Sequence, residues 1–136
     1  MARHRFVLHT RTADLDWLGH VNNVIYGEFL QEARMALIMQ WRGGLRHPRQ
    51  DTVVARIEID YVSILEHSSE PFVVETWTER VGRTSYTLAH EVRELDGPAV
   101  YARGRSVLVQ VDNQTMKPAE IEDSMREFLA TFSDGS

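Results

Sequence analysis

The chain has 136 residues, a length typical of one domain with one hydrophobic core. Hydrophobic residues make up 43% and charged residues 26% of it, a globular composition that excludes a disordered, collagen-like or coiled-coil protein. The net charge of −5 argues against a nucleic-acid-binding protein. The sequence has no cysteine, which excludes disulfides, cysteine-bound metals and a cysteine nucleophile.

Neither the amino terminus nor any later segment contains an apolar run of the roughly 20 residues that a membrane helix needs. The lack of cysteine suits a reducing compartment. We therefore expect a cytoplasmic protein with no signal peptide and no membrane span. The six histidines are scattered and form no His-x-x-x-His pair on a helix, so we expect no metal site.

In chain order, hydrophobic periodicity and turn residues predict a strand, a long helix, four strands and a short helix. The predicted ranges are a strand over 5–11, a helix over 24–41, strands over 52–64, 71–81, 84–95 and 100–112, and a helix over 120–132. The four successive strands are expected to form a meander. One apolar helix against one antiparallel sheet predicts an α+β fold in a single domain over residues 1–136, with the sheet curled around the helix.

Two of these elements carry informative patterns. The long helix is apolar on most of its surface, and its only charged residues are Glu28, Glu32 and Arg34. We therefore expect it to be buried behind a narrow polar seam. In the strand that follows, alternate positions from Val53 to Tyr61 are apolar, which predicts one buried and one exposed face.

The segment from Asp14 to Tyr26 joins the first strand to the helix and carries the residues best suited to chemistry. Asn22 or Asn23 can cap the helix, whose first N–H groups lack partners and can stabilise an oxyanion. A carboxylate such as Asp16 can attack a carbonyl or activate water, so this segment suits an acyl-transfer site. Aspartate, asparagine and glycine are also ordinary loop residues, and these residues alone leave a purely structural role open.

The pattern Asp-x-Asp-x-x-Gly-His-Val-Asn-Asn-x-x-Tyr, followed by Glu-Ala-Arg, resembles the signature of hotdog-fold acyl-CoA thioesterases of the 4-hydroxybenzoyl-CoA thioesterase-like family. Weaker likenesses extend over nearly the whole chain, at Asp60-Tyr61, Gly82-Arg83-Thr84-Ser85 and Asp112-x-x-Thr115-x-Lys117-Pro118. The resemblance implies a hotdog fold, in which a five-stranded antiparallel sheet wraps a long central helix. It also implies hydrolysis of an acyl-CoA to a free acid and coenzyme A, with no cofactor because coenzyme A is part of the substrate.

The resemblance also implies residue roles. Asp16 matches the family's catalytic aspartate, as nucleophile or base, and the backbone amide of Asn23 matches the oxyanion donor. Some family branches use a glutamate of the central helix instead, so Glu32 and Glu28 are the reserve candidates. Substrate contacts are expected from Trp17, Gly19, His20, Asn22, Tyr26, Arg83, Thr84 and Ser85. For His20 an orienting or structural role, and for Tyr26 a packing role, stay open.

Several alternatives remain at this point. The loop with Arg42, Arg46, His47 and Arg49 can bind coenzyme A phosphates or simply be a solvated surface. A hotdog module that binds acyl-CoA without hydrolysing it is the main alternative function, since a fold does not fix an activity. A hydratase ranks last, because its histidine-centred motif is missing. The resemblance further implies a homodimer or homotetramer with sites at the subunit interface.

Overall fold

The computed structural model describes residues 2–41, 43–44 and 46–134, so Arg42 of the basic loop lies outside the described residues. Its elements in chain order are β1 His4–Leu8, α1 Tyr26–Trp41, β2 Gln50–Tyr61, β3 Phe72–Val81, β4 Ser85–Glu94, β5 Val100–Asp112 and α2 Asp123–Ala130. Single 3-10 turns cover Thr12–Asp14 and Asn23–Ile25. The described helices include none that is long and apolar enough to cross a bilayer.

The five strands form one antiparallel sheet in the order β1-β3-β4-β5-β2. This arrangement around α1 confirms the predicted α+β hotdog fold. The predicted four-strand meander is wrong, because β2 pairs with β5 and only β3, β4 and β5 are consecutive neighbours. The turns after β3 and β4 are short and force adjacent pairing, whereas residues 62–71 are long enough to cross to the opposite edge.

The central helix packs on the sheet through Phe29, Leu30, Ala33 and Leu37. A glycine in β5 lets it come close. A Cβ at Gly104 would lie 3.0 Å from Leu30 Cδ1 and 2.9 Å from the Glu58 carbonyl oxygen. Burial of each large side chain at this contact contributes about 1.5–3 kcal/mol to the free energy of unfolding.

The strand β2 does not present the single apolar face that its alternation predicts. A bulge between Val54 and Arg56 shifts the register, so Val54 lies opposite Leu108 and Ile57 lies opposite Ser106, both on the helix side. Val53 therefore faces away from the side that Ile57 occupies, because one extra residue reverses the alternation. As the edge of the sheet, β2 keeps Ile57 41% exposed, so the predicted buried face is wrong for this strand.

The predicted polar seam of α1 is also wrong. Met35 and Met39 are 53% and 49% exposed, whereas Arg34 is only 5% exposed. Arg34 is one turn from Leu37 and Leu30, on the face that the helix turns toward the sheet. The helix thus buries the charged Arg34 and exposes Met35 and Met39 along the side next to the β2 edge.

A row of polar side chains crosses the sheet beneath α1 and separates two apolar clusters. His90 Nδ1 lies 3.0 Å from Thr76 Oγ1, and His90 Nε2 lies 2.9 Å from Ser106 Oγ. Arg34 Nη1 donates to Ser106 Oγ at 3.2 Å. Burial, with a smaller effect of the Arg34 charge, lowers the pKa of His90 to about 3. The imidazole is therefore neutral at pH 7 and serves as a buried hydrogen-bonding link.

Candidate active site at the start of the central helix

A cavity of about 450 Å³ lies between the loop after β1, the start of α1 and the end of β2. It is within the size range of small-molecule sites. The lining residues come from two stretches of the chain, and they are Asp16, His20, Val21, Asn23, Tyr26, Tyr61, Val62, Ser63, Ile64 and Leu65.

The loop that carries Asp16 is anchored by Asp14. The Asp14 carboxylate is fully buried and accepts hydrogen bonds from the Arg11 backbone N–H at 2.8 Å and from Arg11 Nη2 at 2.6 Å. The Asp14 carbonyl accepts from the Asn22 N–H at 2.8 Å, which ties both ends of the loop together. Burial works to raise the pKa of Asp14, but the bonds from Arg11 outweigh it and lower that pKa. Asp14 therefore remains ionised and holds the loop.

Asp16 folds its own turn around one carboxylate oxygen. Asp16 Oδ1 accepts from the backbone N–H of Leu18 at 2.9 Å and of His20 at 3.2 Å. Gly19 supplies the left-handed conformation that this turn needs, with a φ of +81°. Asp16 Oδ2 accepts no hydrogen bond from any described residue, so the turn fixes the carboxylate while leaving one oxygen available.

The two asparagines at the helix start have different roles. Asn22 Oδ1 accepts from the Val24 N–H at 3.0 Å, so Asn22 is the cap. Asn23 is the first residue of the helical segment, and its N–H meets no acceptor within the described part of the chain. Asn23 also lines the cavity. Its amide is therefore a donor at the positive end of a helix dipole, where a carbonyl oxygen gaining charge is stabilised.

Two tyrosines form the aromatic wall of the cavity. The ring centroids of Tyr26 and Tyr61 are 5.2 Å apart, with planes at 87°. Tyr26 is buried, and burial raises its pKa, so it both packs in the core and borders the cavity. Tyr61 Oη donates to the Asn23 carbonyl oxygen at 2.8 Å. The sequence placed Tyr61 in a weak family likeness together with Asp60 but gave it no role, because its contact with Asn23 spans 38 residues.

His20 reaches the cavity as part of the Asp16 turn. Its backbone N–H and carbonyl both bond to Asp16, and it forms an isolated β-bridge with Glu66. These contacts involve only the His20 backbone, so the two roles that the sequence left open for its side chain both stay open. Trp17, by contrast, is 91% exposed and does not line the cavity.

The helix glutamates do not reach this cavity. Glu32 is exposed on α1 and is not among the lining residues. Glu28 lies near the helix start and pairs with Arg11 at 3.4 Å, with both side chains more than half exposed. Within one chain the geometry therefore favours Asp16 over either reserve carboxylate.

The predicted hairpin contacts lie at the other end of the sheet. Phe72, at the start of β3, packs in the same cluster as Tyr26, whereas Arg83, Thr84 and Ser85 follow the end of β3. The strand between them is about 30 Å long at 3.3 Å per residue. Arg83 Nη1 instead bonds to Glu120 at 3.3 Å. A single chain does not bring this hairpin to Asp16.

The basic loop is engaged within the chain as well. Arg46 pairs with Asp51 at 2.9 Å, and His47 Nε2 lies 2.8 Å from Glu122. The Arg46 side chain is 77% exposed, as the surface interpretation predicts, whereas the His47 side chain is only 8% exposed and does not fit it. Across the residues that the structure describes, no three histidine or carboxylate side chains are grouped to hold a metal ion.

Comparisons with known proteins bear on the family and the fold of the chain. A family model described as the thioesterase-like superfamily matches residues 10–129. The chain is 28% identical over 120 residues to the uncharacterized protein YsmA of Bacillus subtilis, covering 88% of this chain and 80% of that protein. A predicted thioesterase from Bacillus stearothermophilus superposes with a TM-score of 0.88 at 29% identity, covering 99% of each chain. A Thermus thermophilus thioesterase complexed with coenzyme A and Zn superposes with a TM-score of 0.77 at 29% identity, covering 93% of this chain and 92% of that one.

Proposed function

Because the chain belongs to the thioesterase-like superfamily and is a thioester hydrolase, we propose that its substrate is an acyl-CoA, which it cleaves to a free acid and coenzyme A. The similar Thermus thermophilus thioesterase is complexed with coenzyme A, which supports this substrate class. The observation that carries the proposal is the free Oδ2 of Asp16 in the same cavity as the unpaired N–H of Asn23.

The Asn23 amide is the proposed electrophilic element. As the thioester carbonyl is attacked, negative charge develops on its oxygen, and a preorganised N–H at a helix start stabilises that charge. The bond from Tyr61 to the Asn23 carbonyl oxygen restrains the backbone on the other side of the Asn23 Cα before substrate arrives. Removing one such donor typically lowers kcat by about 100- to 1,000-fold.

Asp16 is the proposed catalytic carboxylate, and it acts either as a general base or as a nucleophile. As a base, Oδ2 takes a proton from water while the water oxygen attacks the carbonyl, and the carbon–sulfur bond then breaks to release a thiolate. As a nucleophile, Oδ2 itself displaces the thiolate and forms an anhydride, which water then hydrolyses. Because a thiol has a pKa near 8.5, it leaves without a dedicated acid, so a carboxylate and an oxyanion donor are sufficient.

The active unit is proposed to be a homodimer or homotetramer. The β2 edge is unpaired in one chain, and Val54, Ile57 and Tyr61 on it are 47%, 41% and 52% exposed. Met35 and Met39 continue this apolar surface on the helix. An exposed apolar edge strand is a ready template for pairing with a second copy.

Assembly also supports a role for the distant hairpin. A second copy supplies its own Arg83, Thr84 and Ser85, and these residues are proposed to contact the coenzyme A phosphates at the first copy's cavity. Arginine donors suit phosphate oxygens. The expected location is the cytoplasm, where acyl-CoA is present. A chain without cysteine suits this reducing compartment.

A panel of acyl-CoA substrates tests this proposal. Thiol release from acyl-CoAs of increasing chain length, with and without an aromatic acyl group, is followed with a thiol-reactive dye. The proposal predicts saturable hydrolysis of at least one class. Saturable binding across the panel without thiol release would show that the chain binds acyl-CoA and does not cleave it.

A further inference from the structure

A second cavity lies at the other end of the seam between α1 and β2. It has a volume of about 440 Å³ and is lined by residues from the second half of α1, the first residues of β2, the loop between them and β5. The loop contributes Gly44, Arg46 and His47, and β5 contributes Leu108 and Gln110. It shares no lining residue with the first cavity. Most of its wall is apolar, and the helix contributes Met35, Ile38 and Met39.

Arg34 lines this apolar cavity and is 5% exposed. Its guanidinium makes one hydrogen bond, from Nη1 to Ser106 Oγ at 3.2 Å. Among the described residues no carboxylate lies within ion-pair distance of it. A guanidinium has five N–H donors, and a buried charge without a counter-charge is strongly unfavourable. Burial correspondingly lowers the pKa of Arg34.

The other buried charged groups show how unusual this is. Asp14 is fully buried and pairs with Arg11 at 2.6 Å. Glu91 is 9% exposed and pairs with Arg3 at 2.7 Å and with Arg103 at 3.2 Å. Among the described residues, the buried carboxylates pair with arginines, whereas Arg34 in the second cavity has no opposite charge.

A second buried donor lies near Arg34, although it does not itself line the cavity. The Tyr86 hydroxyl is buried near Thr52 and Arg34, and it makes no hydrogen bond of normal geometry with the described residues. Thr52 Oγ1 instead donates to the side-chain carbonyl of Gln110. Among the described residues, Arg34 thus has Ser106 Oγ as its one acceptor and the nearby Tyr86 hydroxyl has none. A ligand in the cavity would supply a further acceptor to Arg34.

We propose that this cavity binds an aliphatic carboxylate, with the carboxylate on the Arg34 guanidinium and the hydrocarbon against Met35, Ile38 and Met39. A carboxylate accepts two parallel bonds from a guanidinium and neutralises its charge. Flexible methionine side chains adapt to alkyl chains of different shape. The carboxylate belongs either to a free fatty acid or to the far end of an acyl chain carried by coenzyme A, and only the second source rests on the proposed function.

Calorimetric titration tests the proposal without any turnover. Octanoate, octanamide and octanol are titrated into the wild-type protein, into Arg34→Gln, and into Arg105→Gln. Arg105 is a matched control, because it is a half-exposed arginine that pairs with Glu79 on the opposite face of the sheet. We expect wild type and Arg105→Gln to bind octanoate at least ten-fold more tightly than either neutral ligand. Arg34→Gln is expected to lose that preference.

Three results would overturn the proposal. The first is equal affinity of the wild-type protein for octanoate and octanol, a comparison that needs no variant to fold. The second is an unchanged preference for octanoate in a folded Arg34→Gln protein. The third is the absence of octanoate binding by the wild-type protein. A change from oligomer to monomer in Arg34→Gln, measured by light scattering, then explains that absence. In that case a side chain of a second copy occupies the cavity.

A kinetic comparison separates the two sources. Hydrolysis of octanoyl-CoA is compared with hydrolysis of the same acyl-CoA bearing a second carboxylate at the chain end. A lower KM for the second substrate, lost in Arg34→Gln, assigns the cavity to the acyl chain. Equal KM values with intact octanoate binding assign it to a free acid. Failure of hydrolysis with both substrates bears on the proposed function alone, because the titration reports binding directly.

Discussion

Tyr61 Oη donates a 2.8 Å hydrogen bond to the carbonyl oxygen of Asn23 and so joins the end of β2 to the first residue of the helical segment. The two residues come from elements at the edge and the centre of the fold, yet both line the cavity that contains Asp16. The bond fixes the peptide between Asn23 and Val24, which is the unit next to the one whose N–H is the candidate oxyanion donor. The geometry of the site therefore depends on the strand that a second copy is proposed to cover.

Replacing Tyr61 tests this relationship. Tyr61→Phe removes the hydroxyl and keeps the ring, so Asn23 loses its anchor while the aromatic wall remains. We expect kcat to fall by about tenfold, the rate equivalent of one lost hydrogen bond of about 1.4 kcal/mol. Steady-state kinetics on the preferred acyl-CoA gives the measurement, and Tyr101→Phe is the control. Equal kcat values for Tyr61→Phe and the control would contradict the role of the bond.

Substitution of two glycines near the site by alanine is expected to change the free energy of unfolding in opposite directions. Gly19 has a φ of +81°, so Gly19→Ala strains the Asp16 turn and should lower the free energy of unfolding by about 1 kcal/mol. Gly27 lies in α1 with no atom within 4 Å of an added Cβ, so Gly27→Ala should raise it by about 0.5 kcal/mol. Urea denaturation of both variants provides the test. A loss of stability in Gly27→Ala, or none in Gly19→Ala, would contradict this account.

The buried imidazole of His90 predicts acid sensitivity. Its pKa is about 3 in the folded chain and near 6.5 when unfolded, so between these values the unfolded state binds the extra proton. The contribution of the neutral imidazole to the free energy of unfolding is therefore fully present above pH 6.5. Below that pH the free energy of unfolding decreases by about 1.4 kcal/mol per pH unit. His4, whose pKa burial also lowers, contributes in the same direction.

The matched variant for this prediction is His90→Gln, whose amide can bond to both Thr76 and Ser106 without titrating. Between pH 6 and pH 4.5 its free energy of unfolding should decrease less steeply than that of wild type, by about 1.4 kcal/mol per pH unit. Chemical denaturation at several pH values measures both slopes. Identical slopes would show that His90 is not the group responsible.

The sequence predicts most elements because their signals are local. Helical spacing marks α1, and Gly82 with its neighbours marks the turn between β3 and β4, where the Gly82 N–H bonds to the Ser85 carbonyl at 2.7 Å. The pairing of β2 with β5 and the bulge after Val54 have no local signal, because both are set by contacts between distant strands.

The candidate site divides in the same way. Asp16, Gly19 and Asn22 are recognisable because the turn and the cap are formed by neighbours in sequence. Tyr61 and Arg34 stand in segments that resemble the family, but their contacts are not predictable, since their surroundings come from other parts of the sheet. Burial is unfavourable for the charge of Arg34. The hydrophobic pattern of the helix therefore predicts an exposed arginine at this position.

The central claim is that Asp16 performs the chemistry, and kcat of Asp16→Asn measures it most directly. Asn keeps an Oδ1 acceptor for the N–H groups of Leu18 and His20, so the turn is retained while the carboxylate is lost. Asp96→Asn, in the exposed turn after β4, is the matched control. With the best acyl-CoA of the panel, we predict that Asp96→Asn retains wild-type kcat and that Asp16→Asn loses at least about 100-fold. A folded Asp16→Asn protein with kcat within about three-fold of wild type, a difference below 1 kcal/mol in the activation free energy, would contradict the claim.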